Sequence, residues 1–161
     1  MDALEAIRKR RSVRKYTGAP IPRADLEAIL DAGRLAATGY NAQPWEFVVV
    51  TDELTKEAVS LGKDWLARAG AIVAVVLNPS ARFWHEDGCS AIANMLIAAT
   101  ALGYGTCWLQ GVTMPREEDL KRVLGVPEEL RLLSLVSLGV PAEQPSKEKR
   151  SLSDVVHWEH Y

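Results

Sequence analysis

The sequence predicts an α/β sandwich, in which helices pack on a buried β-sheet, and three observations favour it. Residues Ala71–Leu77 (A-I-V-A-V-V-L) are apolar without alternation, the pattern of a central strand buried on both faces. Residues 132–140 form a second apolar run, which we predict as the last core strand. Around these strands lie segments whose apolar residues recur at helical spacing, so helices must cover the sheet.

The N-terminal part of the chain contains two predicted helices and a loop. Asp2 and Glu5 form a capping-box-like start for the first helix. The second helix opens after Ile21 and runs over residues 22–37. Residues 38–44 (T-G-Y-N-A-Q-P) have the composition of a loop.

Five further elements are predicted in order along the chain. Strands are expected over residues 46–51 and 106–109, and helices over residues 54–69 and 115–124. Residues 87–102 form the most apolar helix. Because this helix is apolar nearly all round, we expect it to be buried, either in its own core or against a partner subunit.

The chain ends in a tail that needs a covering surface. After Pro141 a polar stretch leads into S-L-S-D-V-V-H-W-E-H-Y, which carries several apolar side chains. We expect this arm, residues 142–161, either to fold back on its own core or to dock on another copy of the chain. No linker or repeat interrupts the sequence, so residues 1–161 are predicted to form a single domain.

Composition and charge argue against several function classes. Hydrophobic residues make up 48% and charged residues 25%, and the formal net charge of -2 favours neither nucleic acid nor acidic lipid as a partner. The chain begins without an apolar signal segment and contains no apolar run long enough to span a bilayer, so we expect a cytoplasmic protein. Its two cysteines, Cys89 and Cys107, form no C-x-x-C motif and predict no disulfide framework.

A short basic cluster indicates a local anion site. Six of the 19 Lys and Arg residues lie in residues 8–15 (R-K-R-R-S-V-R-K), whereas all 21 Asp and Glu residues lie elsewhere. A nucleic-acid binder spreads its positive charge over a broad face instead. The guanidinium groups of Arg10, Arg11 and Arg14, with the Ser12 hydroxyl, suit a phosphate. The alternative is a solvated helix end whose charges complement the helix dipole.

The loop T-G-Y-N-A-Q-P-W, residues 38–45, is a second candidate site. Gly39 allows close backbone approach, and Asn41 and Gln43 supply amides that can bind the edge of a flat heterocycle. The alternative is a helix-to-strand turn in which Trp45 packs in the core.

The chain resembles the nitroreductase family of FMN-dependent oxidoreductases, in particular its short members. The resemblance lies in R-R-S-V-R, T-G-Y-N-A-Q-P-W-E-F-V-V-V, A-L-G-Y-G-T-C-W-L-Q-G, and L-G-V-P followed by R-S-L-S-D-V-V-H-W-E. It covers nearly the whole chain in order. The fold it implies is α+β, a mostly antiparallel or mixed sheet flanked by helices. It also implies an intertwined homodimer in which the C-terminal arm of each subunit, residues 142–161, packs on the partner.

The resemblance implies that FMN is held between the two subunits. Ten residues match the family's cofactor contacts: Arg10, Arg11, Ser12, Arg14, Thr38, Gly39, Asn41, Gln110, Gly111 and Arg150. Arg10, Arg11, Ser12 and Arg14 match contacts to the phosphate, the ribityl chain and the pyrimidine. Arg150 matches a C-terminal phosphate-binding arginine. Thr38, Gly39 and Asn41 match a loop that the other subunit places over the isoalloxazine ring. Gln110 and Gly111 match the segment whose backbone N–H approaches flavin N5.

The activity implied by the resemblance is ping-pong hydride transfer from NADH or NADPH, through flavin N5, to a small acceptor such as a nitroaromatic or a quinone. No side chain is predicted as a catalytic acid or base, because the chemistry belongs to the cofactor. Proteins of similar fold carry out reductive dehalogenation, flavin fragmentation or azoline oxidation. These reactions, a non-catalytic FMN-binding or storage protein, and a nucleic-acid-binding module are the alternatives.

Three aromatic residues, Tyr40, Phe83 and Trp84, are candidates for the acceptor pocket, although the last two also suit plain packing. Larger family members have an inserted helical excursion where this chain has only residues 81–87, which leaves the substrate class open. The three histidines predict no metal site, because such a site needs three or four convergent ligands.

Overall fold

A four-stranded antiparallel sheet forms the centre of the computed structural model, which describes all residues from 1 to 161. The strands are Trp45–Val50 (β1), Ala71–Leu77 (β2), Gly105–Leu109 (β3) and Arg131–Gly139 (β4). Their order across the sheet is β1-β2-β4-β3. The four predicted strands are therefore confirmed, each within one residue of its predicted ends.

Strand β2 is buried on both faces, as its sequence predicts. Its side chains alternate between two apolar clusters on opposite faces of the sheet. Ala71, Val73, Val75 and Leu77 join the first cluster, and the intervening residues join the second. Burial of each large aliphatic side chain contributes roughly 1.5–3 kcal/mol, so this strand anchors both halves of the core.

Helices cover both faces of the sheet. They are Ala3–Lys9 (α1), Arg23–Arg34 (α2), Glu53–Val59 (α3), Asp64–Ala67 (α4), Trp84–Ala101 (α5) and Glu117–Leu124 (α6). Helices α2 and α5 contribute to the first cluster, and α3, α4 and α6 to the second. The observed α+β architecture, an open antiparallel sheet flanked by helices, matches the fold implied by the family resemblance.

Helix α5 begins three residues earlier than predicted, at Trp84, and buries one side. Ile92, Met95 and Ala99 lie fully in the first cluster, whereas Ala93 and Leu102 are exposed. The expectation of burial is therefore met along the core-facing side only.

The single helix predicted over residues 54–69 is wrong, because the chain forms the two short helices α3 and α4 there. Leu61 and Gly62 separate them, with φ angles of 57° and 70° in the left-handed region. Such a break ends the first helix and redirects the chain. As a result Val59 and Leu66 are both completely buried in the second cluster.

The arm does not fold back on its own core, so that alternative is wrong. Its last attachments are a hydrogen bond from Ala142 N to Lys15 O (2.8 Å) and one from Arg14 N to Glu143 Oε1 (2.5 Å). Beyond them, the Trp158 side chain is 81% exposed. Docking on another copy stays a prediction. None of the helices is both long and apolar enough to cross a membrane.

Candidate functional site

The basic segment, residues 10–15, lies beside strand β3. Val13 N donates to Thr106 O at 2.8 Å, and Ser12 pairs with Thr106 in a parallel bridge. The Val13 side chain is buried against Gly105, where a Cβ atom would lie 2.9 Å from three Val13 carbons. Glycine at position 105 therefore permits this close approach. Because side chains alternate along an extended segment, Ser12 and Arg14 project opposite to Val13.

A buried tyrosine holds the segment in place. Tyr16 Oη donates to Val13 O at 2.8 Å and lies 2.7 Å from Ser137 Oγ on strand β4. Burial raises the pKa of the Tyr16 hydroxyl, so this side chain stays a hydrogen-bond donor. Thr17 N also donates to Val140 O at 3.0 Å. The chain is thus bound to the sheet on both sides of Arg14 and Lys15.

The arginine side chains of the basic segment have no carboxylate partner, unlike the lysine that precedes the segment. Lys9, at the end of α1, forms an exposed ion pair with Glu5 at 2.6 Å, in line with a solvated helix end. Arg10, Arg11 and Arg14 form no salt bridge. Arg11 turns its Nη1 onto backbone carbonyls, and its Nε is buried without a partner. Arg10 and Arg11 are half-buried and Arg14 is exposed. Guanidinium groups without carboxylate partners and with spare donors suit an anion.

A cavity of about 400 Å³ adjoins this segment at the end of β3. Arg14, Trp65, Trp108, Gln110 and Gly111 are among the residues that line it. The Trp108 Nε1 donor is buried without a partner. No atom lies within 4 Å of the position a Cβ would take at Gly111, so the backbone there is open to a ligand.

Cys107 forms part of the same cavity wall. Burial raises the pKa of its thiol, and the charges of Arg14 and Arg10 act in the opposite direction. A thiol with a raised pKa is a poor nucleophile, so Cys107 is a packing residue.

The loop that follows α2 is held in an uncommon backbone conformation. Tyr40, Asn41 and Gln43 have φ angles of 55°, 56° and 46°, in the left-handed region that non-glycine residues seldom occupy. Gly39 N donates to Asp87 Oδ1 at 3.0 Å, which ties the loop to α5. Trp45 is buried in the first cluster, as the packing alternative predicts, while the loop itself stays largely exposed.

The aromatic residues at the start of α5 differ in their surroundings. Phe83 contacts Gly39 so closely that a Cβ there would collide with the ring, and it stacks on Tyr40 with ring centroids 6.3 Å apart. Trp84 packs against the first cluster, and the Arg131 guanidinium lies 5.8 Å from its ring centroid. Phe83 thus stays available at the surface, whereas Trp84 is mainly a packing residue.

One contact joins the start of α5 to the end of β3. His85 Nε2 lies 3.1 Å from the Gln110 side-chain Nε2, and His85 Nδ1 lies 3.9 Å from Cys89 Sγ. Sequence reasoning considered His85 only as a metal ligand and so missed this contact. The sequence signal was its position directly after Phe83 and Trp84.

Two other features lie outside these regions. A cavity of about 690 Å³ between α2, β1 and α3 is lined by none of the predicted site residues. No group of three His, Cys, Asp or Glu side chains converges to hold a metal ion.

A model of the Nitroreductase family matches residues 7–71 and 57–140 of the chain. The chain belongs to the nitroreductase family. The first match includes the basic segment and the loop, and the second includes the end of β3.

Individual nitroreductase relatives agree with this assignment. A candidate NADH dehydrogenase/NAD(P)H nitroreductase of Archaeoglobus fulgidus is 40% identical over 155 residues, covering 89% of this chain and 87% of that protein. A crystal structure of a candidate nitroreductase of Desulfovibrio desulfuricans in complex with FMN has a TM-score of 0.87 and 29% identity. It covers 100% of this chain and 98% of that one. An iodotyrosine deiodinase of Thermotoga neapolitana is 25% identical over 172 residues, covering 89% and 91%.

The structure gathers the residues predicted from the nitroreductase resemblance into two groups. The first group lies beside β3: Arg14, Gln110 and Gly111 line the cavity at its end, and Arg10, Arg11 and Ser12 belong to the basic segment that pairs with this strand. The second group lies around the start of α5: Thr38, Gly39, Tyr40, Asn41, Phe83 and Trp84. Arg150 belongs to neither group, because it lies in the exposed arm and donates from Nη2 to Asp154 O at 2.5 Å.

Proposed function

We propose that this nitroreductase-family protein is an FMN-dependent oxidoreductase that transfers hydride from NADH or NADPH to a small acceptor, such as a nitroaromatic or a quinone, by a ping-pong mechanism. The observation that carries the proposal is the run of arginines without carboxylate partners beside β3, of which Arg14 lines the open cavity at the end of that strand. An FMN-bound relative of the same fold supports it.

The donor set fits the phosphate end of FMN. Arg10, Arg11, Ser12 and Arg14 would hold the phosphate, the ribityl chain and the pyrimidine edge, since their side chains supply cationic donors and a hydroxyl. The orphaned Nε of Arg11 is a donor that a bound anion would satisfy. Arg150, from the arm, would add a further phosphate contact.

The other end of the cavity fits a planar ring. Gly111 carries no side chain, and the space beside it is open, so a flat ring can approach the backbone N–H groups there. Gln110 is held from the side by His85, which fixes the start of this turn. When bound, FMN supplies the hydride chemistry at N5, and the chain supplies binding and orientation.

A homodimer would complete this site. Thr38, Gly39 and Asn41 belong to the second group of site residues and form part of the loop after α2. We propose that this loop covers the cofactor of the partner subunit. The exposed apolar side chains of the arm, among them Trp158, support docking of residues 142–161 on that partner, because such a surface is unfavourable in water.

Anaerobic reduction of the purified full-length protein tests the proposal. We expect a yellow dimer on gel filtration, bleaching of the flavin absorbance by NADH or NADPH, and recovery of colour when a nitroaromatic or a quinone is added. A protein that binds FMN but is bleached by neither nicotinamide would be a storage protein. A colourless protein that acquires no flavin on mixing with FMN would contradict the proposal entirely.

Reductive dehalogenation is a second candidate, because one relative is an iodotyrosine deiodinase. The reduced protein would then release iodide from 3-iodotyrosine. Iodide release faster than nitroaromatic reduction would favour this activity, and reduction of nitroaromatics without iodide release would exclude it.

A further inference from the structure

Two aromatic rings project from the surface beside the start of α5. The Tyr40 side chain is 86% exposed, and Phe83 is 37% exposed. Their ring centroids are 6.3 Å apart and their planes differ by 23°, so the rings are stacked. An exposed stacked pair leaves aromatic surface that a further flat ring can cover.

The backbone holds Tyr40 in this exposed position. The left-handed φ angles of Tyr40 and its neighbour Asn41 are unfavourable for non-glycine residues and tend to persist at functional sites. The bond from Gly39 N to the buried Asp87 carboxylate fixes the loop in this conformation. Phe83 fills the space that a side chain at Gly39 would need. The aromatic pair is therefore preorganised in the free chain.

An arginine without a carboxylate partner accompanies the pair. The Arg82 guanidinium carbon lies 5.3 Å from the centroid of the Phe83 ring. The neighbouring ring, Trp84, also has an arginine over it, but that residue, Arg131, already forms a two-pronged ion pair with Glu117 at 2.7 and 2.8 Å. Arg82 forms no salt bridge, so its charge is free to bind an anion.

We propose that Tyr40, Arg82 and Phe83 form a subsite for a planar aromatic compound that carries an anionic group. The ring stacks on the aromatic pair, and the carboxylate or phosphate pairs with the guanidinium. This inference rests on the proposed function, in which the loop that carries Tyr40 lies over the cofactor of the partner subunit. The subsite therefore selects among the compounds that reach the flavin.

Two sources supply this chemistry. One is an aromatic electron acceptor with a carboxylate, and the other is NADPH, whose adenine ring and 2′-phosphate combine the same features. Both place a flat ring and an anion a short distance apart. Kinetics with each compound separate the two sources.

The test compares the R82Q variant with the wild type, using para-nitrobenzoate and its neutral analogue para-nitrobenzamide as acceptors. We expect R82Q to raise KM for para-nitrobenzoate about fivefold more than KM for para-nitrobenzamide, the scale of one exposed charge pair. The wild-type preference for the anion also weakens at high salt. R68Q is the matched control, since Arg68 is an exposed, unpaired arginine remote from the rings.

A second measurement determines KM for NADPH and for NADH in the same variants. A selective rise for NADPH in R82Q assigns the subsite to the reductant, and a selective rise for para-nitrobenzoate assigns it to the acceptor. The Y40L variant, at an exposed position, should raise KM for the same compound by removing the stacking surface.

Two ratios decide the test: KM for para-nitrobenzoate over KM for para-nitrobenzamide, and KM for NADPH over KM for NADH. The inference is overturned if R82Q changes neither ratio, or if R68Q changes them equally, while the wild type reduces nitroaromatics. A wild type that is not bleached by either nicotinamide overturns the proposed function instead. The two failures are therefore distinguishable.

Discussion

Tyr16 links the packing of the core to the position of the basic segment. Its ring is buried in the second cluster, and its hydroxyl contacts Val13 O and Ser137 Oγ. Val13 lies between Ser12 and Arg14, two of the residues proposed to hold FMN. One hydrogen bond in the core therefore helps to set the direction of two ligand-binding side chains.

We predict that Y16F destabilises the protein by about 1–3 kcal/mol, because the Val13 carbonyl and the Ser137 hydroxyl lose a buried partner. FMN should also bind more weakly, since the segment becomes less well fixed. Urea denaturation and FMN titration measure the two effects. Y104F is the matched control, because the Tyr104 hydroxyl bonds to Asp25 at the surface of α2, away from the segment. Equal FMN affinity in Y16F and wild type would contradict this role.

At the scale of elements, Glu117 fastens helix α6 to strand β4. Its carboxylate accepts two bonds from the Arg131 guanidinium and one from Leu132 N at 2.9 Å. The Arg131 hydrogen bond, assisted by that of Leu132, holds the pKa of Glu117 below its usual value despite its partial burial. Because Arg131 also lies over Trp84, the same ion pair supports the start of α5.

The lowered pKa of Glu117 predicts a pH dependence of stability. A carboxyl group whose pKa is lower in the folded state stabilises that state above the unfolded pKa, and the effect is lost as pH falls through the folded pKa. The E117Q variant should therefore be less stable than wild type at neutral pH, and the difference should shrink at an acidic pH well below the ordinary carboxyl pKa of 4.5. Urea denaturation at both pH values measures it. E57Q, at an exposed residue without an ion pair, should show no such change.

At the scale of the whole molecule, the charge distribution and the exposed arm are the two features that the proposed FMN-bound dimer would account for. The net charge is -2, yet three arginines of one segment form no ion pair, and one of them, Arg14, lines a cavity. Apolar residues of the arm stay exposed after the core is complete. We infer that the FMN phosphate neutralises the charge of these arginines and that a second subunit covers the apolar residues of the arm.

Much of the fold could be predicted from the sequence. The unbroken apolar run at β2 required a strand buried on both faces, and the family segments required the antiparallel fold. The break at Leu61 and Gly62 was missed, although Gly62 is a poor helix former, because the apolar residues around it keep helical spacing. The burial of both Val59 and Leu66 on one face of the sheet is what requires a turn there.

The candidate site was predicted residue by residue, but not its supporting contacts. Arg14, Gln110 and Gly111, which are far apart in sequence, line one cavity. The contacts of Tyr16 and Asp87 depend on which strands and helices become neighbours. Such long-range pairs leave no local pattern in a single sequence.

A comparison of FMN with riboflavin as ligands tests the central claim most directly. The protein freed of flavin is titrated with each compound, and the R11A variant is titrated in parallel. If the arginine segment holds the phosphate, wild type binds FMN at least about 100-fold more tightly than riboflavin, since charge-assisted bonds to phosphate contribute roughly 1.5–3 kcal/mol each. R11A should lose about tenfold or more of that preference, the contribution of one such bond. Equal affinity of the wild type for FMN and riboflavin would contradict the account.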